Sequence, residues 1–145
     1  MTRTKLLIGA AAIAAVLAGV TAQVTAESPR ADAMKELGKN MKAIKGVIDA
    51  GGPAADVTAP AQKIAEIAAK IPDLFPKGSD TEDDESKAEI WTKWDAFTTH
   101  AKDLESAATM LASAGGGGDM ATVGAQFEKV GGTCGACHKE FRQKK

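Results

Sequence analysis

Apolar residues along most of this chain recur every three or four positions, the period of a helix that buries one face. The first such stripe is Met34, Leu37, Met41, Ile44 and Ile48. Ser28 stands where an N-cap hydroxyl belongs, Pro29 follows at the first helical position, and Gly51-Gly52-Pro53 closes the far end. A second helix is expected from about Ala54 to Lys70, with Val57, Ile64, Ile67 and Ile71 on one face and Pro72 as its stop. Residues 72–84 are rich in proline and acids and read as a long connection. A third helix is expected from about Glu85 to Ala114, carrying Ile90, Trp94, Phe97, Ala101, Leu104, Ala108 and Leu111 in step. The acidic run Glu82-Asp83-Asp84-Glu85 suits its solvated N-terminus, where the helix dipole favours negative charge. Gly115–Gly118 reads as a flexible loop, and Asp119 as the N-cap of a last helix with the seam Met120, Val123, Phe127, Val130, Cys134, Cys137 and Phe141. Four amphipathic helices with narrow seams predict an all-α protein: an antiparallel four-helix bundle with one longer crossover connection.

The pattern fails before Ser28. Arg3 and Lys5 precede an unbroken apolar or small run from Leu6 to Val20, and Val24-Thr25-Ala26 is a small-residue cleavage site. The run is shorter than the roughly 20 residues that a membrane span needs. Residues 1–26 are therefore expected to be a cleaved signal peptide, with cutting after Ala22 the close competitor, and residues 27–145 a single domain. Losing Arg3 and Lys5 but no acid takes the formal net charge from −1 to −3, which gives nucleic-acid binding no support. Export implies a periplasmic location and no stable membrane insertion. Composition agrees with the helical reading: 29 alanines, 4% aromatic residues and no tyrosine.

Candidate chemistry concentrates in Cys134-Gly135-Ala136-Cys137-His138. Attaching a haem through its two vinyl groups needs two thiols one helical turn apart, with an imidazole reaching the iron from the same side. This spacing supplies all three. A thioredoxin-like pair would want a strand before the motif, where a helical pattern stands. A structural zinc site wants four ligands, and beyond these residues the chain offers only His100. A plain disulfide would leave His138 without a purpose. Gly131, Gly132 and Gly135 each weaken a helix by roughly 1 kcal/mol relative to alanine. Their clustering suggests something bulky against the backbone, or a kink. No nucleophile–base pair or paired carboxylates suggest a hydrolase, so no enzymatic activity is expected.

With its attachment motif within ten residues of the C-terminus, on the fourth helix, the chain resembles the class II cytochromes c. These are the cytochromes c′ and their low-spin, methionine-ligated relatives. The resemblance runs from about Ser28 to Lys145. It includes Arg30 four residues before Met34, Pro72-Asp73-Leu74-Phe75-Pro76, Ile90-Trp91 and Cys137-His138-Lys139-Glu140-Phe141-Arg142. It implies one covalent haem c on Cys134 and Cys137 with His138 as the proximal iron ligand. It further implies that Met34 faces the distal side, as sixth ligand in the manner of low-spin members or packing over an open iron in the manner of cytochromes c′. The resemblance also implies that Arg30 pairs with a haem propionate and that Arg142 lies near the proximal histidine.

A thioether suits haem iron, and histidine/methionine ligation places the reduction potential in an electron-carrier range. Met41 is the competitor two turns along; Met120 shares a helix with His138 and Met110 is remote. His100 reads as a surface histidine, Trp94 and Phe97 as seam residues, and Trp91 as a flank of the haem. The expected function is periplasmic electron transfer with redox partner proteins, as a monomer or weak homodimer. The alternative is a five-coordinate protein binding nitric oxide or carbon monoxide.

Overall fold

The computed structural model describes residues 28–80 and 85–143; the expected signal peptide and Glu82–Asp84 lie outside them. Helix α1 runs Pro29–Ala50, and the Ser28 hydroxyl accepts the Ala31 N–H at 3.2 Å. It ends where Gly51 turns left-handed at φ 60°, a conformation that glycine adopts without steric cost. Gly51 and Gly52 then donate to the Ile48 and Val47 carbonyls at 3.1 and 2.9 Å. A 3-10 turn, Ala54–Val57, leads into α2, Thr58–Lys70. A second short turn, Pro72–Leu74, opens the crossover. One helical turn, α3 (Glu89–Thr92), precedes the long α4 (Trp94–Gly117), and α5 runs Met120–Phe141. Asp119 caps α5 as expected, its carboxylate accepting from the Ala121 and Thr122 amides at 3.1 and 3.2 Å.

The long helices α1, α2, α4 and α5 form the bundle, with α4 packed on both α2 and α5, and α1 on α2. Contact between α1 and α5 is slight. The seams mesh in a core that includes Ile44, Val57, Ile64, Leu111, Val123 and Val130, all fully buried. Alanines at 61, 68, 101 and 108 are buried with them, and their small size lets α2 and α4 approach closely. Three buried aromatic rings brace the end of the bundle that holds the attachment motif. Phe97 of α4 meets Phe75 of the crossover edge-on at 4.9 Å, and Phe141 of α5 edge-on at 5.5 Å.

The third helix differs from its expected form at both ends. Glu85 is not helical; it belongs to an extended segment paired with the end of α5. Lys93 then leaves helical geometry, at φ −119° and ψ 45°, between α3 and α4. Tertiary partners flank this break: the Trp91 indole donates to the Pro76 carbonyl at 3.0 Å, while the Lys93 ammonium meets Glu140 of α5 at 3.1 Å. Trp94, expected in the seam, begins α4 beyond the break and is 37% exposed. At the other end the helix continues through Gly117 and stops at Gly118, φ 78°, so the expected loop is one residue rather than four. Gly115 is buried there, so close to the turn before α2 that a methyl would meet the Ala54 carbonyl and Thr58 amide at 3.0 and 3.1 Å.

Candidate functional site

Cys134 and Cys137 lie one turn apart on the inner stripe of α5, half-buried against the core, and neither forms a disulfide. Burial pushes the Cys134 thiol above its ordinary pKa. Burial, followed by the charges of Cys134 and Glu140, carries Cys137 up to about 11. Both thiols are therefore neutral at physiological pH, packed against apolar side chains.

His138 follows on the flank of the helix, exposed at its edge. Loss of hydration holds its pKa below the ordinary histidine value; the Arg142 guanidinium adds to this and Glu85 opposes it. The neutral imidazole is the form that binds iron. At 3.6 residues per turn, Gly131 and Gly135 share this flank with His138. An added Cβ at either glycine would meet nothing within 4 Å. The surface beside His138 is thus bare backbone fronting open space, as a planar group lying against the helix requires. Gly132 lies on the other flank, lining an open groove of about 480 Å³ between α4 and α5 with His100, Met110 and Lys129. Of the motif only Ala136 lines that groove; neither thiol nor the imidazole does. The donor set therefore fits a haem in kind and in placement: two neutral thiols on the seam, a neutral imidazole beside them, and a cleared helix flank.

On α1, Met34 is half-buried against the core beside buried Leu37, and Met41 is half-buried further along the stripe. Met110 is 53% exposed at the far end of α4. Arg30 is only 4% exposed. Its guanidinium donates to the Leu74 and Ser79 carbonyls at 2.7 and 3.2 Å and to the Ser79 hydroxyl. It also lies over the Phe75 ring at 4.4 Å and the Trp91 ring at 5.5 Å. Trp91 packs on this cation and on Phe75. His100, expected at the surface, is partly covered: it faces Glu140 at 3.5 Å and the edge of Phe141 at 5.8 Å. Among the described residues, no three His, Cys, Asp or Glu side chains gather as a metal ion would need, and no helix is long and apolar enough to cross a membrane.

Sequence reasoning missed the surroundings of Arg142. Glu85 pairs with its guanidinium, and Glu85 arrives from the crossover, 57 residues away in sequence. Nothing in the local pattern signals that approach.

The sequence model described as cytochrome c′ matches residues 25–142. The chain is 45% identical over 83 residues to a cytochrome c′ of Rhodospirillum rubrum, an overlap of 57% of this chain and 56% of that relative's length. It is 36% identical over 116 residues to a cytochrome c′ of Pararhodospirillum photometricum, covering 79% of this chain and 93% of the relative. A cytochrome c-556 of Agrobacterium tumefaciens is 36% identical over 115 residues, covering 77% and 92%. Among solved structures, the fold matches a cytochrome c′ from Thermochromatium tepidum with TM-score 0.74 and 29% identity, over 79% of this chain and 92% of that one. It also matches a nitric oxide complex of a cytochrome c′ variant from Alcaligenes xylosoxidans, with TM-score 0.70 and 26% identity over 79% and 91%.

Proposed function

Since this chain belongs to the cytochrome c′ family, we propose that it is an exported, periplasmic haemoprotein that transfers electrons through one covalent haem c with His138 and Met34 as axial ligands. Haem c is the cofactor of this family, and its iron supplies a one-electron couple when bound. The observation that carries the reading is the stripe on α5: two free, half-buried thiols one turn apart, followed by a neutral imidazole beside a cleared flank.

In this reading Cys134 and Cys137 fix the group covalently, so that it is retained at any concentration. His138 binds the iron from the α5 side. Met34 offers its thioether from α1, which α5 touches only slightly. The core side chains beneath the thiols keep water from that edge. With His138 and Met34 both holding the iron, the group would supply a one-electron couple for exchange with redox partner proteins, and the protein would act as a monomer or weak homodimer. Arg30, already held against the Leu74–Ser79 segment, is the residue proposed to meet a propionate.

A second reading is supported by likeness to a protein solved with nitric oxide bound. In it Met34 only packs above a five-coordinate iron that takes up nitric oxide or carbon monoxide. The visible spectrum of the haem-loaded protein, oxidised and reduced, with and without carbon monoxide, separates the two. Sharp low-spin bands without a carbon monoxide response are expected in the native chain. Met34→Ala is expected to give a high-spin spectrum that shifts with carbon monoxide. A native protein that is already high-spin and responsive establishes the second reading, and a Met34→Ala spectrum identical to the native one removes Met34 from the iron.

A further inference from the structure

The end of the crossover is strapped to the end of α5 by backbone pairing. Lys87 N–H donates to the Phe141 carbonyl at 3.0 Å and Gln143 N–H donates to the Glu85 carbonyl at 2.7 Å, with Ser86 and Arg142 opposed as an antiparallel bridge. The Gln143 amide side chain adds a bond to the Ser86 carbonyl at 3.0 Å. Lys87 reaches across with its ammonium to the Glu140 carbonyl at 3.0 Å, where a cation offsets the negative end of the helix dipole. A segment held by this many main-chain contacts places Glu85 at one spot, and at that spot its carboxylate receives the Arg142 guanidinium. Arg142 caps α5 in extended geometry one turn beyond His138, its amide donating to the His138 carbonyl at 3.0 Å. Among the described residues, Glu140 lies on the opposite flank with Lys93 and His100.

We propose that Glu85 is a positioning residue for the iron site, which the crossover delivers to hold Arg142 beside His138 and to offset the field that this cation exerts on the iron. The proposal rests on the reading of His138 as the proximal ligand. An uncompensated cation close to the iron disfavours its more positive, ferric state; an uncompensated anion favours it. Glu85 and Arg142 bring opposite charges to the end of α5 that carries His138. The two residues should therefore move the Fe(III)/Fe(II) couple in opposite directions. Loss of a merely structural strap would move it one way or not at all.

The test is spectroelectrochemical titration, against an electrode with mediators at low ionic strength, of the haem-loaded native protein, Glu85→Gln, Arg142→Gln and the double variant. Glu85→Gln keeps the main-chain strap, which amide hydrogen exchange at Lys87 and Gln143 verifies. Its equilibrium is expected to shift at least twofold toward ferrous iron, and that of Arg142→Gln at least twofold toward ferric. The double variant should return close to native, and all shifts should shrink in high salt as the half-exposed pair is screened. Shifts in the same direction, or none, with normal haem spectra overturn the role of Glu85 and leave the ligand assignment standing. A chain that matures without a histidine-ligated c-type spectrum overturns both.

Discussion

The two motif thiols show how burial turns into pH dependence. Cys137 goes from an ordinary value of 9.0 to about 11 because the folded chain resists placing a thiolate against its apolar core. The folded state thus keeps this proton to higher pH than the unfolded state does. Its contribution to stability is complete below the unfolded thiol pKa and disappears as pH climbs from about 9 toward 11. Urea midpoints of the haem-free chain at pH 8, 10 and 11 should fall, and fall less in Cys137→Ala. Equal declines in the two proteins would contradict the argument. Attachment of haem consumes the thiol, so the loaded protein should lack this component. Asp119 runs the opposite way: the Thr122 hydroxyl, then the Ala121 and Thr122 amides, hold its pKa below the usual carboxylate range. Its stabilisation is present at neutral pH and lost as acid protonates it.

Between helices, the decisive contacts are those that sequence periodicity cannot express. Gly115 appears in the chain as one of four consecutive glycines, the usual sign of a loop. It is helical because α4 must pass close to the turn before α2, where a methyl at this position would strike the Ala54 carbonyl and the Thr58 backbone. Gly115→Ala is expected to destabilise by about 1–3 kcal/mol, since main chain cannot yield as a flexible side chain can. Gly46 in α1 has nothing within 4 Å of an added Cβ. Gly46→Ala should stabilise by about 0.5–1 kcal/mol through helix propensity alone. Chemical denaturation of the two variants measures both, and two effects of the same sign would refute the distinction. The third helix teaches a similar lesson. Ile90 and Phe97 are seven residues apart and in phase, so spacing suggests one continuous helix, while the partners of Trp91 and Lys93 flank a break between them.

At the scale of the whole molecule, the crossover is fastened at both ends. Arg30 of α1 holds its beginning through the Leu74 and Ser79 carbonyls and the Phe75 ring. The strap at Glu85–Lys87 holds its end against α5. Both fastenings lie where the buried rings of Phe75, Phe97 and Phe141 join crossover, α4 and α5. Arg30→Ala removes a buried cation together with its hydrogen bonds and ring contacts. It is expected to cost about 2–4 kcal/mol and to speed amide exchange at Phe75 and Ser79. Unchanged exchange there would show that the aromatic cluster alone keeps the crossover in place.

The four long helices, the Ser28 and Asp119 caps, the Gly51 stop, the seams apart from Trp94 and the Cys134-x-x-Cys137-His138 stripe were legible in the sequence. Each depends on residues within a turn or two of one another, where 3.6-residue geometry and capping chemistry act directly. The bareness of the flank beside His138 was half legible, as glycines whose open surroundings only the structure shows. What only the tertiary structure decided are contacts between residues far apart in the chain: Arg30 with Ser79, Gly115 with Ala54, and Glu85 with Arg142. Local pattern carries no record of these: two depend on the path of a crossover whose own residues have neither helical period nor seam, and the third on how closely α4 passes the turn before α2. The sequence by itself determined the helices and the attachment motif, and the packing of the helices decided which charges surround that motif.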